Sequence, residues 1–462
     1  MNRIAIRANI ILIIAALLLL GFAFFVAEYS MDAEKWLTTE GSPHVYNGKT
    51  NMDTGIAVDR DGILLLDMRS GRTYSNIESI RMSTIHWVGD RSGNVIAPAL
   101  GEYAKEIIGY DEFNGLYSYG ETGGVATLTL SAEVQAAALE ALGDYKGTVC
   151  VYNYKTGEII CAVSTPTFDP DNAPVITEEN QDQYDSIYYN RFTMGRYIPG
   201  SIFKVVTLAA ALEELPDIQD QKFTCTGTYQ IGNKTISCNN NTSHGTQTLK
   251  TAFKNSCNCA FAQIAAQLGG ENLEKYVKQF GLTDSITFDG ITTGKGNFTV
   301  EDEDDNGSND IEVAWSSIGQ YKDLINPCSF MTFMGAIGNN GRVIYPYVVD
   351  RVTCDGEASY RATTTKGEQI LSKETANLLC EYLENNVNEK YGAQNFAGLT
   401  VGAKTGTGEV EGQRSNAMLA GVVNDSKYPL AFLICVEDAG YGQSVCVPIA
   451  SQVLTACKEV LK

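Results

Sequence analysis

The chain has 462 residues, of which 44% are hydrophobic and 19% are charged, and its formal net charge is −21. This length allows two or three domains with an ample core, and the composition is that of an ordinary globular protein. The negative charge argues against nucleic acid as a partner, because the phosphates would be repelled. It favours solubility and says little about the fold.

An apolar segment lies near the start of the chain. Residues 8–27 carry no charge and consist mainly of Ile, Leu, Ala and Phe, which is long enough to cross a bilayer core of about 30 Å as a helix. Arg3 and Arg7 precede it and acidic residues follow it, so the positive-inside rule predicts a cytoplasmic tail at 1–7 and an extracytoplasmic remainder. A cleaved signal peptide is the alternative, but residues 25–27 lack the small-x-small cleavage pattern.

Two regions follow this predicted single-pass anchor. Residues 28–127 hold short β-like runs separated by turns and carry no motif for chemistry, which predicts a spacer or docking domain. The pattern changes at Leu128. Ser131 is expected to cap a helix that extends to Leu142, because apolar residues recur there at helical spacing. A second domain is therefore predicted at 128–462.

The second domain is predicted to combine an early pair of strands, a late trio of strands and a terminal helix. These elements cover residues 149–154, 159–164, 399–407, 417–423, 430–436 and 448–461. Helical segments and loops alternate between them, from about 167 to 395. This order predicts an α+β fold with one antiparallel sheet and a helical insertion.

Ser201 and Lys204 form a Ser-x-x-Lys motif at the start of an apolar helix. Pro199 and Gly200 precede the serine, which places its hydroxyl where free backbone N–H groups and the helix dipole favour negative charge. Side chains three residues apart share one face of a helix. Burial beside the apolar helix should lower the pKa of the lysine until it can accept the serine proton.

Ser256 and Asn258 form a Ser-x-Asn motif directly before a helical run at 260–268. A hydroxyl can relay a proton to a leaving amine, and an amide can hold a peptide carbonyl group. The alternative is that this segment only caps the helix that follows it.

The tripeptide Lys-Thr-Gly occurs twice, and the context separates the two copies. The copy that begins at Lys155 lies between two apolar runs and predicts a hairpin turn, in which Gly157 supplies a positive φ. The copy that begins at Lys404 follows the apolar segment 399–403 and is followed by small residues, which allow a substrate backbone to lie against the strand. We therefore interpret Lys155 as structural and Lys404 as functional.

The strand of the second copy is predicted to bind substrate through four residues, Lys404, Thr405, Gly406 and Thr407. The lysine adds positive charge for a substrate carboxylate, and the two threonine hydroxyls can bind the same group. The backbone N–H groups of Thr407 and Ser201 are expected to form an oxyanion hole.

The twelve cysteines are spread along the chain without a Cys-x-x-Cys pair, and there are only three histidines. We therefore expect no metal site and no cofactor. Most of the cysteines are predicted to be free, buried thiols. Cys225 and Cys238 flank a short loop and are a candidate disulfide, whereas Cys150 and Cys161 lie on opposite arms of the hairpin and would pair only in one register.

Residues 301–310 are strongly acidic and begin like a calcium-binding loop. Asp302, Asp304 and Asn306 match the first ligand positions, but the twelfth position is Val313 instead of the bidentate glutamate. A solvated acidic loop is the favoured interpretation.

The three motifs in this order are the set found in penicillin-binding proteins and active-site serine β-lactamases. From about residue 50 to its end the sequence resembles the class B penicillin-binding proteins, the membrane-anchored peptidoglycan transpeptidases. Two departures are Tyr321, where the family often has Gly, and Thr54, where Arg often precedes the first Gly of the non-catalytic domain. Further family-like segments are 127–142, 147–164, 197–204, 244–245, 318–320 and 339–341.

The resemblance implies a pedestal domain at 28–127 and a transpeptidase domain at 128–462, with a five-stranded antiparallel sheet, flanking helices and an all-α insertion. It implies that Ser201 attacks the penultimate D-Ala of a peptidoglycan stem peptide and that an amine then takes the acyl group. β-Lactams are implied as inhibitors. A SEDS-family glycosyltransferase is implied as a membrane partner, since the pedestal is too short to contain a glycosyltransferase domain.

Two other functions stay open from the sequence. Water could replace the amine as acceptor, which would make the protein a D,D-carboxypeptidase or a class D-like β-lactamase. A β-lactam sensor that is acylated without turnover is the non-enzymatic alternative, although a sensor would need a cytoplasmic signalling segment and only residues 1–7 are predicted inside.

Overall fold

The computed structural model of the chain describes residues 2–37, 52–109, 123–300, 310–354, 356–410, 412 and 414–461. Most of the acidic run and the considered calcium ligands in it lie outside these residues. The α-helices are α1 Asn2–Leu37, α2 Glu78–Val88, α3 Pro98–Glu102, α4 Ala104–Ile108, α5 Ala132–Leu142, α6 Arg191–Met194, α7 Lys204–Glu214, α8 Leu249–Lys254, α9 Asn258–Leu268, α10 Gly270–Gln279, α11 Asp310–Ser316, α12 Pro327–Gly338, α13 Lys373–Asn386 and α14 Gly442–Val460.

The strands form one central sheet, one second sheet and four short ribbons. They are β1 Ile56–Val58, β2 Leu64–Asp67, β3 Thr73–Tyr74, β4 Val125–Leu128, β5 Gly147–Asn153, β6 Ile159–Thr165, β7 Lys222–Cys225, β8 Thr228–Ile231, β9 Lys234–Ser237, β10 Gly245–Thr248, β11 Thr287–Phe288, β12 Ile291–Thr292, β13 Arg342–Ile344, β14 Val349–Cys354, β15 Glu357–Arg361, β16 Lys366–Gln369, β17 Val401–Gly408, β18 Asn416–Val423 and β19 Leu430–Val436.

Helix α1 is the one helix among the described residues that is long and apolar enough to cross a membrane. Its side chains from Arg3 to Met31 are exposed, including the Ile, Leu and Phe residues of the predicted anchor. An apolar surface of this extent is stable in lipid and costly in water. The prediction of a single apolar N-terminal helix is confirmed, and its orientation stays a prediction.

The central sheet is antiparallel, with strand order β17-β18-β19-β5-β6. It joins the predicted early pair to the predicted late trio, which confirms the five-stranded arrangement. Alternate residues serve two cores: Leu433 packs on the side that includes α12, whereas Ile434 packs on the side of α5 and α14. Both faces are therefore covered, as the continuous apolar runs require.

Two predicted helix starts can be compared directly. Ser131 caps α5, and its hydroxyl accepts a hydrogen bond from the N–H of Val134, as expected. The predicted start of the terminal helix at Pro448 is wrong, because α14 begins at Gly442 and includes the proline. A Cβ at Gly442 would lie 2.4 Å from the carbonyl oxygens of Gly406 and Met418, so this first turn packs directly on the sheet. That packing offsets the hydrogen bond which the proline removes.

The second sheet has the order β15-β14-β4-β1-β2-β3 and combines distant parts of the chain. Strands β1 and β4 pair in parallel, and β14 adds to the other edge of β4. The predicted domain boundary between 127 and 128 falls inside β4, and β14 and β15 come from far beyond it. The insertion is largely helical, but it is not all-α as expected, because it also carries two short ribbons: β7 pairs with β10, and β8 pairs with β9.

All twelve cysteines are free thiols in this structure, and eleven of them are buried. The candidate disulfide between Cys225 and Cys238 is not formed, since their sulfur atoms are 3.7 Å apart. Cys150 pairs with Ala162 across the hairpin, whereas Cys161 pairs with Val151. The two hairpin cysteines therefore face opposite sides of the central sheet and belong to different cores.

Candidate active site

Ser201 lies in a short 3₁₀ helix, Gly200–Phe203, that continues directly into α7. Gly200 has a φ of 53°, and a Cβ there would lie 2.2 Å from the carbonyl oxygen of Thr407. The N–H of Gly200 donates to the carbonyl of Gly319 at 2.8 Å. Only glycine fits this approach. The serine is thereby held against the strand that carries the second Lys-Thr-Gly sequence.

Lys204 connects two of the three motifs. Its side chain is fully buried, and its Nζ lies 2.7 Å from Oγ of Ser201 and 2.8 Å from Oδ1 of Asn258. Burial lowers the pKa of Lys204 to about 7, because the charged form loses its hydration. Near neutral pH a large fraction of the amine is therefore neutral and able to accept the serine proton.

The Ser-x-Asn motif is divided between two roles. Cys257, the middle residue, caps α9, with its sulfur accepting from the N–H of Ala260 at 3.4 Å. Ser256 therefore does not serve as the cap; it has a φ of 55° and its hydroxyl accepts a hydrogen bond from Lys404 at 3.0 Å. Asn258 donates from Nδ2 to the carbonyl of Ser237 at 2.8 Å, which fixes the orientation of its amide.

Lys404 is the second buried lysine of the site. Its Nζ donates to Oγ of Ser256 and, at 2.8 Å, to the carbonyl of Thr405. Burial, followed by the positive charges of Lys204 and Lys390, lowers the pKa of Lys404 well below its ordinary value. A bound anion would reverse this effect, since an opposite charge favours the protonated form.

Residues that the motifs did not indicate also support the strand. Tyr391 is buried, and its hydroxyl lies 3.0 Å from Oγ1 of Thr405 and accepts from the N–H of the same residue at 3.2 Å. Gln320 donates from Nε2 to the carbonyl of Thr407 at 3.1 Å. The family-like segment 318–320 was a signal for the glutamine, whereas nothing in the sequence singled out the tyrosine.

The eight predicted site residues thus lie together. The four residues with hydroxyl groups are half-buried, whereas the two lysines are buried. The hydroxyl groups are therefore accessible to a ligand, and the lysine amines are desolvated. Gly406 has no space for a side chain, because a Cβ there would lie 2.7 Å from the carbonyl oxygen of Pro199. One serine hydroxyl beside a buried lysine amine, and a second such pair, thus line one contiguous site.

The sequence-family model of the penicillin-binding protein transpeptidase domain matches residues 147–455. The chain belongs to this family. All three motifs and all eight site residues fall inside the matched segment, together with the five strands of the central sheet.

Relatives and a solved structure agree with this assignment. The chain is similar to the stage V sporulation protein D of Bacillus subtilis, with 32% identity over 56% of this chain and 39% of the relative. It is also similar to the peptidoglycan D,D-transpeptidase PbpA of Mycolicibacterium smegmatis, with 28% identity over 62% of this chain and 61% of the relative. The matched regions therefore span less than two thirds of these proteins.

The fold resembles the crystal structure of the D,D-transpeptidase domain of a peptidoglycan glycosyltransferase from Eggerthella lenta. The TM-score is 0.75 at 29% sequence identity, over 88% of this chain and 98% of that one. The likeness extends beyond the family-matched segment and includes much of the region before residue 147.

Proposed function

We propose that the protein is a peptidoglycan D,D-transpeptidase that reacts through an acyl-enzyme on Ser201 and is inhibited by β-lactams. The observation that carries this proposal is the 2.7 Å contact between Oγ of Ser201 and the buried Nζ of Lys204. A lysine with a pKa of about 7 is a suitable base for a serine hydroxyl at neutral pH. Family membership supports the same reaction class.

In the acylation step, the neutral amine of Lys204 takes the proton of the Ser201 hydroxyl while Oγ bonds to the carbonyl carbon of the penultimate D-Ala. The backbone N–H groups of Ser201 and Thr407 stabilise the negative charge on the carbonyl oxygen. The peptide C–N bond then breaks, and the leaving D-Ala amine receives a proton through the hydroxyl of Ser256, which contacts Lys404.

In the second step, an amine of a neighbouring stem peptide attacks the ester carbonyl of the acyl-enzyme. Its proton passes to the basic groups of the site, the ester C–O bond breaks, and Oγ of Ser201 regains a proton. The product is a cross-link, and the enzyme is restored without any net oxidation or reduction. With water as the acceptor, the same steps would release a trimmed monomer.

Substrate recognition uses Asn258 and strand β17. The amide of Asn258 holds a peptide carbonyl, and the hydroxyls of Thr405 and Thr407 bind the terminal carboxylate. Lys404 provides the positive charge, and binding of the carboxylate favours its protonated form. Gly406 lets the substrate backbone approach β17 closely.

The division of the chain is part of the proposal. Residues 1–7 form a cytoplasmic tail, 8–27 a single-pass anchor, 28–127 a pedestal and 128–462 the extracytoplasmic transpeptidase domain. The apolar surface of α1 and the flanking charges support the anchor and its orientation. The second sheet, to which β14 and β15 contribute, supports a pedestal that is built into the catalytic domain.

The decisive experiment is labelling with a fluorescent penicillin, followed by peptide mapping and by product analysis with a pentapeptide donor. Wild-type protein should carry the adduct on Ser201 and form cross-linked dimers. Ser201→Ala should not be labelled, while the control Ser444→Ala, an exposed serine on α14, should react normally. Labelling of Ser201→Ala would contradict the proposed nucleophile. If the products were trimmed monomers alone, the reaction would be hydrolysis instead of transpeptidation.

A glycosyltransferase of the SEDS class is the proposed membrane partner. Helix α1 carries small residues at Ala15, Ala16, Gly21 and Ala23, which allow close helix packing in lipid. Full-length protein in detergent should co-purify with a SEDS protein, and replacement of residues 1–27 by an unrelated membrane helix should weaken this association. If both proteins co-purified equally well with a SEDS protein, the contact through α1 would be excluded. If neither protein co-purified with one, the proposed partnership would be withdrawn.

A further inference from the structure

Four potential metal ligands converge beside the active site. They are the sulfur atoms of Cys225, Cys238 and Cys257 and a ring nitrogen of His244, and these atoms all lie within 4.8 Å of one another. The three thiols are buried, and the imidazole is half-buried. The ligands come from the end of β7, the segment after β9, the segment before β10 and the residue before α9, so no sequence spacing indicated them.

Three of the six distances between the ligand atoms match the edges of a tetrahedral zinc site. The sulfur of Cys238 lies 3.7 Å from that of Cys225 and 3.7 Å from that of Cys257, and Nδ1 of His244 lies 3.4 Å from the sulfur of Cys225. A tetrahedron with Zn–S bonds of about 2.3 Å and Zn–N bonds of about 2.0–2.1 Å has S···S edges of about 3.8 Å and S···N edges of about 3.6 Å. A disulfide would require about 2.05 Å.

Backbone N–H groups contact two of the sulfur atoms. The N–H of Gly227 donates to the sulfur of Cys225 at 3.4 Å, and the N–H of Ala260 donates to the sulfur of Cys257 at 3.4 Å. Hydrogen bonds of this kind orient metal ligands and stabilise their negative charge.

We propose that Cys225, Cys238, His244 and Cys257 bind one Zn²⁺ ion in a closed, structural site. Three sulfur ligands and one imidazole in tetrahedral geometry select zinc among the common divalent ions. Binding displaces three thiol protons to solvent and requires no oxidant or reductant. A fourth thiol, Cys259, lies 3.6 Å from the sulfur of Cys238 but outside the set of four ligands.

A bound zinc ion would stabilise the surrounding ribbons, which bury few apolar side chains. In β8 no residue is buried, and in β9 only Ile236 is, so this part of the insertion has little apolar core of its own. Short segments of this kind generally need a metal or a disulfide for stability. Zinc would hold the ribbons to Cys257, the residue before α9.

The same ion would position the Ser-x-Asn motif. Cys257 lies between Ser256 and Asn258, and the amide of Asn258 also binds the carbonyl of Ser237, the neighbour of Cys238. Two of the four ligands therefore flank the contacts that orient this amide. Zinc binding itself does not depend on the proposed reaction, whereas its effect on acylation does.

The test uses full-length protein in detergent, purified without chelators, with elemental analysis and X-ray absorption at the zinc edge. We expect about one zinc per chain, with three sulfur neighbours and one nitrogen neighbour at the bond lengths given above. Cys225→Ser and His244→Ala should lose bound zinc, and the matched control Cys259→Ala should keep it. Cobalt in place of zinc should give the thiolate charge-transfer bands of a tetrahedral site.

Several results would overturn the site. These are free thiols without zinc after exposure to zinc ions, a mapped disulfide between any two of the cysteines, or full zinc content in both ligand variants. If a variant fails to fold, the absorption spectrum of the wild-type protein still decides, because any neighbour set other than three sulfurs and one nitrogen contradicts the assignment.

Discussion

The tripeptide Lys-Thr-Gly lies in two regions of the molecule with opposite consequences. In the turn between β5 and β6, Lys155 is exposed, and its Nζ donates to Oδ1 of Asn339 at 2.8 Å. In β17, Lys404 is fully buried and contacts the hydroxyl of Ser256. The same three residues therefore build a hairpin in one place and one wall of the candidate site in the other. What differs is the packing around them.

The largest expected effect tests whether a buried amine in the candidate site acts as a base. Lys204→Ala removes the buried amine beside Ser201, and we expect acylation by a fluorescent penicillin to slow by about 10²- to 10⁴-fold, the usual value of a general base. Far-UV circular dichroism serves as the folding control. Acylation at nearly the wild-type rate would show that another group takes the proton.

The two lysines of the repeated tripeptide form a matched pair of variants. Lys404→Ala should lower the second-order acylation rate by about 10- to 100-fold, because a charge-assisted hydrogen bond to the carboxylate contributes about 1.5–3 kcal/mol. Lys155→Ala should leave that rate unchanged. For Lys404→Ala, most of the loss should lie in binding of the β-lactam instead of in the acylation rate at saturation. Equal acylation rates for the two variants would contradict the assigned difference between the two lysines.

The pH dependence sharpens the same comparison. The neutral form of Lys204 is the reactive base, and its pKa is about 7, so acylation should fall by about tenfold for each unit below pH 7 and level off above it. Lys155→Ala should give a profile of the same shape. A rate that stays flat between pH 5 and pH 8, measured with a β-lactam that does not titrate there, would contradict the depressed pKa.

The sequence predicted the elements that depend on local patterns. Ser131 caps its helix, the hairpin at Lys155 forms, and the five strands join one sheet, because capping, turn chemistry and apolar runs act over few residues. The site residues could be predicted because the three motifs occur in a characteristic order. Small residues around the second Lys-Thr-Gly copy also distinguish it from the first.

What the sequence could not predict depends on contacts between distant segments. The contact of Tyr391 with Thr405, the packing that starts α14 at Gly442, and the cluster of three thiols with His244 all arise when the chain folds back on itself. No residue spacing encodes these distances. The addition of β14 to the second sheet belongs to the same class.

The smallest expected effects concern the two glycines of the repeated tripeptide, which are both intolerant of a side chain for different reasons. Gly157 has a φ of 94°, and a Cβ there would lie 2.5 Å from the carbonyl oxygen of Tyr345. Gly157→Ala should therefore lower the free energy of unfolding by about 1–3 kcal/mol through backbone strain. Acylation per folded molecule should not change, because the β5–β6 hairpin and β17 lie at opposite edges of the central sheet.

Gly406→Ala, in contrast to Gly157→Ala, should mainly slow acylation. A Cβ at Gly406 would lie 2.7 Å from the carbonyl oxygen of Pro199 and 3.0 Å from Cγ2 of Ile202, so the start of the Ser201 helix must move away from β17. We expect acylation to slow by about three- to tenfold, less than the hundredfold that a 1 Å misplacement can cost. Thermal unfolding and labelling kinetics of both variants separate the two effects. If Gly406→Ala lost only stability, this glycine would be a packing residue like Gly157, and the contrast between the two regions would rest on their lysines alone.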